Sequence, residues 1–488
     1  MRVLHISAEC YPAAKAGGLG DVVGALPKYL SAGGLPTAVV MPKYGRKWFA
    51  QQAWTEDYRG VVQLHNEYIP FSIQKAEGNP TGFLLYAVDI PGKFDREGIY
   101  TQPNGQGYGD DVERWLTFQM AVLQWLQQFA QKPAVLHCHD HHTGLIPFMA
   151  KYCARYDSLA NTPTVFTIHN GEYHGAFGWD KFYLLPPFDF AYRGLLDWQN
   201  TINPLAAGIK NCWRFTTVSP NYLKELSHNS NGLEWLVGHE WHKAVGIVNG
   251  IDAQVWDPKT DPYLAATLQG RAVKKFKQAN RDSLRERYQF EEGLPIITFI
   301  GRLVREKGAD LLPDLIARFL HSGQRANFLL LGTGQEHLHH ALRSLEHQFP
   351  GRVSVALEYN EGLAHRLYAG SDFLLMPSRV EPCGLNQLYA MRYGTVPIVR
   401  SVGGLRDTVP DIGEPDDSGR GIRFDRFTLD DAHTALYRAV QLYHQPKQLA
   451  AVRKRIMALD SSWEAAAQTY RNIYDEVISV SRPELANS

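Results

Sequence analysis

Short apolar runs and amphipathic stretches alternate from the start of the chain. Residues 2–7 (RVLHIS) form an apolar run of strand length, and residues 17–20 (GGLG) form a turn. After Asp21, apolar residues recur at helical spacing until the glycine pair Gly33–Gly34 ends the helix. Residues 37–41 (TAVVM) then supply a second strand. This order indicates a βαβ unit and therefore a parallel sheet.

The same alternation continues through both halves of the chain. A long amphipathic stretch at residues 111–130 predicts a further helix. Further strands are predicted at residues 135–139, 164–169, 215–219, 246–248, 296–301, 327–331, 353–357, 373–376 and 396–399. Ligands of open α/β sheets bind beyond the carboxyl ends of the strands. The polar and glycine residues that follow these strands are therefore the candidates for a functional site.

The segment between the two alternations sets the predicted domain boundaries. Residues 252–262 contain prolines and a charge cluster, as linkers do, and an amphipathic helix at residues 463–478 lies near the end of the chain. We predict an N-terminal α/β domain at residues 1–255, a C-terminal α/β domain at residues 256–462 and a final helical segment at residues 463–488.

Charge and cysteine content narrow the possible settings and partners. Lys plus Arg and Asp plus Glu each number 50, so the zero net charge predicts no general attraction to nucleic acid or to a membrane surface. No apolar run approaches the roughly 18 residues of a membrane span. The 5 cysteines form no CxxC pair, and the first residues show no signal-peptide pattern. These features predict a cytoplasmic protein.

A lysine and a glycine turn lie between the first strand and the first helix. Lys15 precedes Gly17 and Gly18, and Asp21 follows them. Glycines at a helix N-terminus let backbone N–H groups approach an anion, which predicts a phosphate site. The segment is neither a GxGxxG fingerprint nor a P-loop, and a tight structural turn is the alternative.

Two further motifs follow strands in the second half. Arg302 and Lys307 come just after the strand at residues 296–301, where two cations suit a diphosphate leaving group; solvated surface charges are the alternative. Glu381 and the turn Cys383–Leu385 precede a helix, where a carboxylate and N–H donors suit the hydroxyls of a polyol. A helix-capping role is the alternative for Glu381. No basic partner for Cys383 is evident, so we do not expect a nucleophile there.

Histidines cluster at the end of the strand at residues 135–139. The run 137–142 (HCHDHH) raises a zinc hypothesis, but neighbouring strand residues point to opposite faces. A polar sugar pocket that includes Asp140, together with structural histidines, is the preferred interpretation, and no metal is predicted. His169 ends the next strand, where it suits a sugar contact or proton transfer, with a structural histidine as the alternative.

The joint order of these motifs resembles the bacterial glycogen synthase and plastid starch synthase family. The resemblance extends from about residue 2 to about residue 410. It rests on AECYPAAKAGGLGDVVGALPK, HCHDHHTGL, FTIHN, TTVSP, VNGID, GRLVREKG, AHRLYAGSDFLLMPSRVEPCGLNQLYAMRYGTVPIV and GGLRDTV. It implies the GT-B fold: two Rossmann-like parallel-sheet domains that face each other across a cleft, with the C-terminal helix crossing back onto the first. It also implies transfer of a sugar with retention of its anomeric configuration, and it implies no cofactor.

The resemblance implies roles for the candidate residues of both halves. Lys15, Gly17 and Gly18 would hold the donor phosphate, with Asp21 on the sugar side. The implied contacts to donor glucose are Asp140, His169, Asn249, Cys383, Gly384 and Leu385. Arg302 and Lys307 would contact the diphosphate, and Tyr359 would stack on the nucleotide base. Glu381 matches the essential acidic residue, and together with His169, Arg302 and Lys307 it forms the predicted catalytic set.

The implied reaction is transfer of glucose from ADP-glucose to the 4-hydroxyl at the non-reducing end of an α-1,4-glucan. The expected partners are therefore a nucleotide sugar and a glucan. Alternatives are a UDP-glucose-dependent synthase, a non-catalytic glucan-binding or regulatory protein, a phosphorylase that needs pyridoxal phosphate, and a trehalose or sucrose synthase. The sequence departs from the family pattern at Ala16, where many relatives have threonine, and at the loop Tyr108–Asp111. Tyr389 stands where many other retaining GT-B enzymes have a glutamate.

Overall fold

The chain divides into two compact units. The computed structural model describes residues 1–102, 106–414 and 418–481. The first unit comprises Met1–Asn249 with the chain from Trp463 onward, and the second comprises Gly250–Ser462. The sequence placed the change of domain slightly later, at residues 255–256. Trp256 of the predicted linker packs against the core of the second unit, and its ring stacks between those of His365 and Tyr389, with centroids 3.8 Å from each.

The first unit is built on a nine-stranded sheet in the order β11-β10-β7-β6-β1-β2-β5-β4-β3. The strands are β1 (Val3–Ile6), β2 (Thr37–Pro42), β3 (Trp54–Leu64), β4 (Glu67–Ala76), β5 (Leu84–Asp89), β6 (Val135–His139), β7 (Thr164–Ile168), β10 (Arg214–Thr217) and β11 (Ala244–Gly246). A separate two-stranded hairpin is formed by β8 (Asp197–Trp198) and β9 (Thr201–Ile202). The buried strands β1, β6 and β7 pair in parallel. Their carboxyl ends therefore lie at one edge of the sheet.

The β3–β4 hairpin was not predicted from the sequence. It pairs antiparallel at the end of the sheet, and β4 pairs antiparallel with β5. Most of the first half of β3 is exposed, so its residues do not form the apolar run by which buried strands are recognised. The helices of this unit are α1 (Gly18–Ala32), α2 (Lys47–Gln51), α3 (Asp111–Gln127), α4 (Ile146–Tyr152), α5 (Pro204–Asn211), α6 (Pro220–Leu226) and α7 (Glu234–His239).

The second unit contains a six-stranded sheet that is parallel throughout, in the order β14-β13-β12-β15-β16-β17. Its strands are β12 (Ile296–Ile300), β13 (Asn327–Leu331), β14 (Val353–Ala356), β15 (Phe373–Met376), β16 (Val396–Arg400) and β17 (Ile422–Phe424). The helices are α8 (Val273–Tyr288), α9 (Leu312–His321), α10 (Glu336–Gln348), α11 (Glu361–Gly370), α12 (Asn386–Arg392), α13 (Gly403–Thr408), α14 (Leu429–Tyr443) and α15 (Pro446–Met457). The central strands are buried, as continuous apolar runs predict.

The final helix, α16 (Trp463–Ser481), belongs to the first unit. Its apolar face, which includes Trp463, Tyr470 and Tyr474, packs with Val22 and Leu26 of α1 in one buried cluster. This contact explains the helical spacing of apolar residues in the last part of the chain. Residues 482–488 of the predicted final segment lie outside the described residues. Among the helices that the structure describes, none has the length and apolar character needed to cross a membrane.

Candidate active site

The glycine turn after β1 is held by a buried glutamate that the sequence reasoning did not single out. One carboxylate oxygen of Glu9 accepts the backbone N–H groups of Ala16 and Gly17, at 2.5 and 3.0 Å. The other oxygen accepts the hydroxyl of Tyr100 at 2.5 Å. Burial raises the pKa of the Glu9 carboxyl above its usual range. The available signal was its position, since Glu9 lies shortly after β1, in the segment AECYP at residues 8–12.

This arrangement refines the predicted phosphate site. The Gly17 N–H is bonded to Glu9, which leaves Gly18, the first residue of α1, as the glycine whose amide can face an anion. A Cβ atom built on either glycine would meet nothing within 4 Å, so the turn has open space beside it. The ammonium nitrogen of Lys15 lies 2.6 Å from Oδ1 of Asp21, in the first turn of α1. The structure thus brings Lys15, both glycines and Asp21 together.

Asp140 lies at the carboxyl end of β6 with an unusual backbone. Its φ is +56°, in the region that L-residues seldom adopt, and its Oδ1 accepts the backbone N–H of His169 at 2.7 Å. Burial raises the pKa of the Asp140 carboxyl to about 7. The predicted pair Asp140 and His169 is therefore directly connected, from the ends of two neighbouring strands.

Three buried histidines form a continuous hydrogen-bonded row behind Asp140. His169 Nε2 lies 2.9 Å from His139 Nδ1, and His139 Nε2 lies 2.9 Å from His5 Nδ1. Burial lowers the pKa values of His5 and His169 to about 3 and that of His139 well below its usual value. The three rings are therefore neutral at physiological pH. We call this set, His5, His139 and His169, the histidine row.

A fourth histidine packs beside the row but is bonded elsewhere. His137 Nδ1 lies 2.7 Å from the hydroxyl of Tyr474 on α16, and its Nε2 lies 2.6 Å from the hydroxyl of Thr167 on β7. Nitrogens of His5, His137 and His139 approach one another within 4.8 Å, close enough to consider a metal ion. Both nitrogens of His137 are already hydrogen-bonded, which favours a polar network over a metal site.

Asn249, the last residue before the chain enters the second unit, carries an unsatisfied side-chain group. The residue is buried, and its side-chain oxygen Oδ1 has no hydrogen-bond partner in the part of the chain that the structure describes. A buried acceptor without a partner costs free energy, and such atoms are frequent where a ligand binds. Asn249 therefore offers an acceptor for a ligand hydroxyl.

In the second unit, Lys307 and Glu381 form an ion pair. The Lys307 ammonium lies 2.6 Å from Oε1 and 2.8 Å from Oε2 of Glu381, and the Ser378 hydroxyl donates to Oε2 at 2.9 Å. Only 7% of the Glu381 side chain is exposed, against 26% of Lys307. The structure brings the two predicted residues into direct contact, although they are far apart in sequence.

The backbone explains how the loops after β12 and β15 approach so closely. Gly308 has φ +68°, and a Cβ there would lie 2.0 Å from the carbonyl oxygen of Pro377. Only glycine fits such a contact. The backbone N–H groups of Arg379 and Val380 also donate to the carbonyl oxygen of Glu306. These contacts fix the separation from which Lys307 reaches Glu381.

Arg302 is placed differently from Lys307. Its side chain is 55% exposed and lies 3.4 Å from the Glu306 carboxylate, so this pair is loose and solvated. Arg302 and Lys307 therefore lie in the same loop but pair with different carboxylates. The Arg302–Glu306 pair is more exposed, and the Lys307–Glu381 pair is largely buried.

The turn Cys383–Leu385 is braced by a glutamine that the sequence reasoning did not name. Gln387 Nε2 donates to the carbonyl oxygens of Cys383 and Gly384, at 3.0 and 2.8 Å. Gly384 has φ +74°, which requires glycine or a tolerant residue. Helix α12 begins just afterwards, at Asn386. The turn is therefore rigid and lies directly after Glu381.

Comparison with known proteins decides the family. Residues 2–239 match the family described as "Starch synthase catalytic domain", and residues 280–439 match "Glycosyl transferases group 1". The chain is 46% identical over 479 residues to a glycogen synthase of Flavobacterium johnsoniae, covering 98% of this chain and 99% of the relative. The chain belongs to the glycogen and starch synthase family. A glycogen synthase of Anoxybacillus flavithermus is 34% identical over 499 residues, covering 98% of each protein.

Solved structures agree with this family assignment. The catalytic domain of starch synthase IV from Arabidopsis thaliana, solved with ADP and acarbose bound, matches with a TM-score of 0.86 at 30% identity, covering 98% of this chain and 99% of that one. A sucrose-phosphate synthase from Thermosynechococcus elongatus shares the fold at 16% identity and a TM-score of 0.60, covering 98% of this chain and 99% of that one. The predicted family and the GT-B class of parallel α/β sheets are confirmed.

Two tyrosines of this glycosyltransferase differ in their exposure to solvent. Tyr359, predicted to stack on a base, follows β14 and is 75% exposed. Tyr389, at the position where many retaining relatives of the fold carry glutamate, is buried against Trp256. The aromatic stack of Trp256, His365 and Tyr389 gives position 389 a packing role.

Proposed function

We propose that this family member transfers glucose from ADP-glucose to the 4-hydroxyl at the non-reducing end of an α-1,4-glucan, with retention of configuration. The observation that carries the proposal is the 46% identity to a glycogen synthase over nearly the whole of both chains. The Arabidopsis relative, solved with ADP and acarbose, supports an adenine nucleotide and a glucan-like acceptor. The five cysteines are all free and buried, which fits activity in the reducing cytoplasm.

The second unit would act on the leaving diphosphate. Arg302 is the exposed cation that a phosphate can approach, and Lys307 adds a charge that Glu381 holds in place. Fixed cations stabilise negative charge as it grows on a leaving group, because no reorganisation is needed during the reaction. Glu381 would thereby act through the position of Lys307 and through its own contact with the sugar.

The first unit would bind the glucose and part of the phosphate. Lys15 would contact phosphate in competition with Asp21, its partner in the free protein. Asp140, His169 and Asn249 would contact sugar hydroxyls. Neutral and partly protonated groups suit this task, since hydroxyls both donate and accept hydrogen bonds.

The bond changes balance without a covalent enzyme intermediate. The bond from the anomeric carbon to the diphosphate oxygen breaks, and a bond from the same carbon to the acceptor O4 forms on the same face. The acceptor proton passes to the departing phosphate oxygen. The diphosphate carries more negative charge in this transition state than in the bound donor, so Arg302 and Lys307 would stabilise the transition state more than the donor complex.

Incorporation of labelled glucose into glycogen tests the proposal. ADP-glucose and UDP-glucose are supplied in parallel to the purified protein, with glucose 6-phosphate and fructose as competing acceptors. We expect incorporation from ADP-glucose into glycogen and hydrolysis of the product by an α-1,4-specific glucosidase. Preference for UDP-glucose would overturn the donor, and transfer only to a small acceptor would overturn the polymer as substrate. The Glu381→Gln variant provides the background rate.

A further inference from the structure

The histidine row restricts where its three protons can lie. A neutral imidazole carries one N–H donor and one bare acceptor nitrogen. Each contact in the row, at 2.9 Å, joins one ring nitrogen to another and therefore holds a single proton. The tautomer of any one ring therefore determines the tautomers of the other two. The row consequently has two self-consistent arrangements, in which all protons point toward His169 or all point toward His5.

The far end of the row distinguishes the two arrangements. His5 Nε2 is buried and has no hydrogen-bond partner among the described residues. If the protons point toward His5, this nitrogen carries an N–H that donates to nothing. If they point toward His169, it is a bare acceptor. Orphaned N–H donors are the rarer case in folded proteins, since an unpaired buried donor loses its hydration without replacement. The arrangement pointing toward His169 is therefore favoured.

We propose that His5 and His139 are positioning residues that lock His169 as an Nδ1–H donor to the donor glucose. His5 Nδ1–H donates to His139 Nε2, and His139 Nδ1–H donates to His169 Nε2. The remaining nitrogen of His169, Nδ1, carries the proton and is the one left for substrate. Burial keeps the three rings uncharged, so each nitrogen-to-nitrogen contact holds a single proton. The part of this inference that concerns glucose rests on the proposed function.

Neighbouring groups hold the row in place without entering it. Asp140 fixes the backbone of His169 through its N–H, and His137 stacks on His139 with ring centroids 4.2 Å apart. His137 is itself bonded to Tyr474 and Thr167. Removal of the Tyr474 hydroxyl therefore deletes one hydrogen bond from the same buried cluster and leaves the row intact.

Nitrogen-15 spectroscopy of the histidine rings tests the tautomers directly. The full-length protein is labelled at histidine, and the His169 signals are identified by their loss in His169→Asn. We expect His169 to show a protonated Nδ1 and a bare Nε2. A protonated Nε2, or a mixture of both forms, would overturn the proposal. Metal that copurifies at one per chain, and whose removal shifts the His5 or His139 signals, would overturn it as well. This measurement stands even if glucosyl transfer is not observed.

Two substitutions of His139 separate positioning from packing. His139→Phe keeps a ring but breaks the row, and we expect a mixture of His169 tautomers with about a tenfold fall in kcat/KM for the sugar donor. His139→Gln offers an N–H to His169 and an oxygen to His5, so it should restore the single tautomer and most of the rate. Tyr474→Phe is the matched control and should leave both unchanged. Equal losses in the Phe and Gln variants, with His169 unaltered, would reduce His139 to a packing residue.

Discussion

The polar side chains at the ends of strands β6 and β7, in the first unit, are buried, largely neutral and hydrogen-bonded to one another. The polar side chains after β12 and β15, in the second unit, instead carry opposite charges and form an ion pair. Asp140 has a pKa raised to about 7, and the neighbouring His169 has one lowered to about 3. Lys307 and Glu381, by contrast, meet through two contacts of 2.6 and 2.8 Å. Both arrangements occupy the carboxyl ends of parallel strands.

The difference shows two ways of placing polar groups in a protein interior. A charge removed from water is costly unless it is paired, so a buried group either loses its charge or acquires a partner. We call Asp140 with the histidine row the neutral set; such groups suit hydrogen bonds with hydroxyls in either direction. We call Arg302, Lys307 and Glu381 the charged set; such groups suit an ionic ligand such as a diphosphate. The same topology therefore offers positions suited to two kinds of ligand.

The largest effect is expected from removing the charge of Glu381. Glu381→Gln leaves the Lys307 ammonium without its carboxylate and removes the charge that the proposed sugar contact would use. We expect turnover to fall by at least about 100-fold, which is the scale on which fixed electrostatic groups contribute to catalysis. The rate of glucose incorporation at saturating donor measures it.

The control for this prediction is another paired carboxylate of the same unit. Glu346 lies 2.8 Å from Arg343 and accepts the Val355 N–H, so Glu346→Gln makes the same chemical change in a structural pair. It should lower stability slightly and leave turnover close to that of the parent. Near-normal turnover in Glu381→Gln would mean that the ion pair of the second unit is structural too.

Arg302 should affect donor use more than stability. Because its pair with Glu306 is exposed and 3.4 Å long, Arg302→Ala should barely change the free energy of unfolding. Loss of a charge-assisted phosphate contact should raise KM for the nucleotide sugar about tenfold or more. Arg305→Ala, an exposed arginine in the same loop, is the control. Equal effects of the two variants would indicate a general charge effect instead of a specific contact.

The charged set was more predictable from the sequence than the neutral set. Arg302, Lys307 and Glu381 stand out because charged residues directly after apolar strands are conspicuous. That Lys307 binds Glu381 depends on Gly308 lying against Pro377, a contact between distant parts of the chain. The residue types were therefore predicted, and their pairing was not.

The neutral set depends on relations that no local pattern contains. His5 and His139 lie in β1 and β6, and His169 directly follows β7. Their bonding depends on which ring nitrogens meet across the sheet. Glu9 was overlooked for the same reason, since its partners are backbone amides of a later turn. Most of the parallel strands, in contrast, were predicted, because burial on both faces produces continuous apolar runs. The parallel strands β5 and β17 were not predicted.

The pH dependence of the free energy of unfolding should show whether Asp140, in the neutral set, is protonated in the folded protein. The folded-state pKa of Asp140, about 7, lies above the unfolded value of 3.8. Between these values the folded state retains a proton that the unfolded state releases, so this group makes the protein less stable as pH rises. Asp140→Asn removes that effect while its side-chain oxygen can still accept the His169 N–H. The variant should therefore gain stability relative to the parent from about pH 4 to pH 7, by up to about 1.4 kcal/mol per pH unit.

Denaturant titrations at several pH values measure this difference. Asp110→Asn is the control: the hydrogen bond from Arg96 holds the pKa of the Asp110 carboxyl below its usual value, so this variant's difference from the parent should stay nearly constant over that window. A constant difference for Asp140→Asn as well would mean that Asp140 is ionised in the folded protein. The contrast between a neutral and a charged set would then fail at its central residue.

The smallest effect is expected at Tyr359, the exposed tyrosine that follows β14. Its side chain is 75% exposed, so Tyr359→Ala should change the free energy of unfolding by less than about 0.5 kcal/mol. If the ring stacks on the nucleotide base, its loss should raise KM for ADP-glucose about two- to tenfold and leave kcat nearly unchanged. Tyr437→Ala removes another exposed tyrosine of the same unit and should change neither constant. A fall in kcat without a rise in KM would place Tyr359 with the reacting groups, and would extend the charged set beyond the ion pair and Arg302.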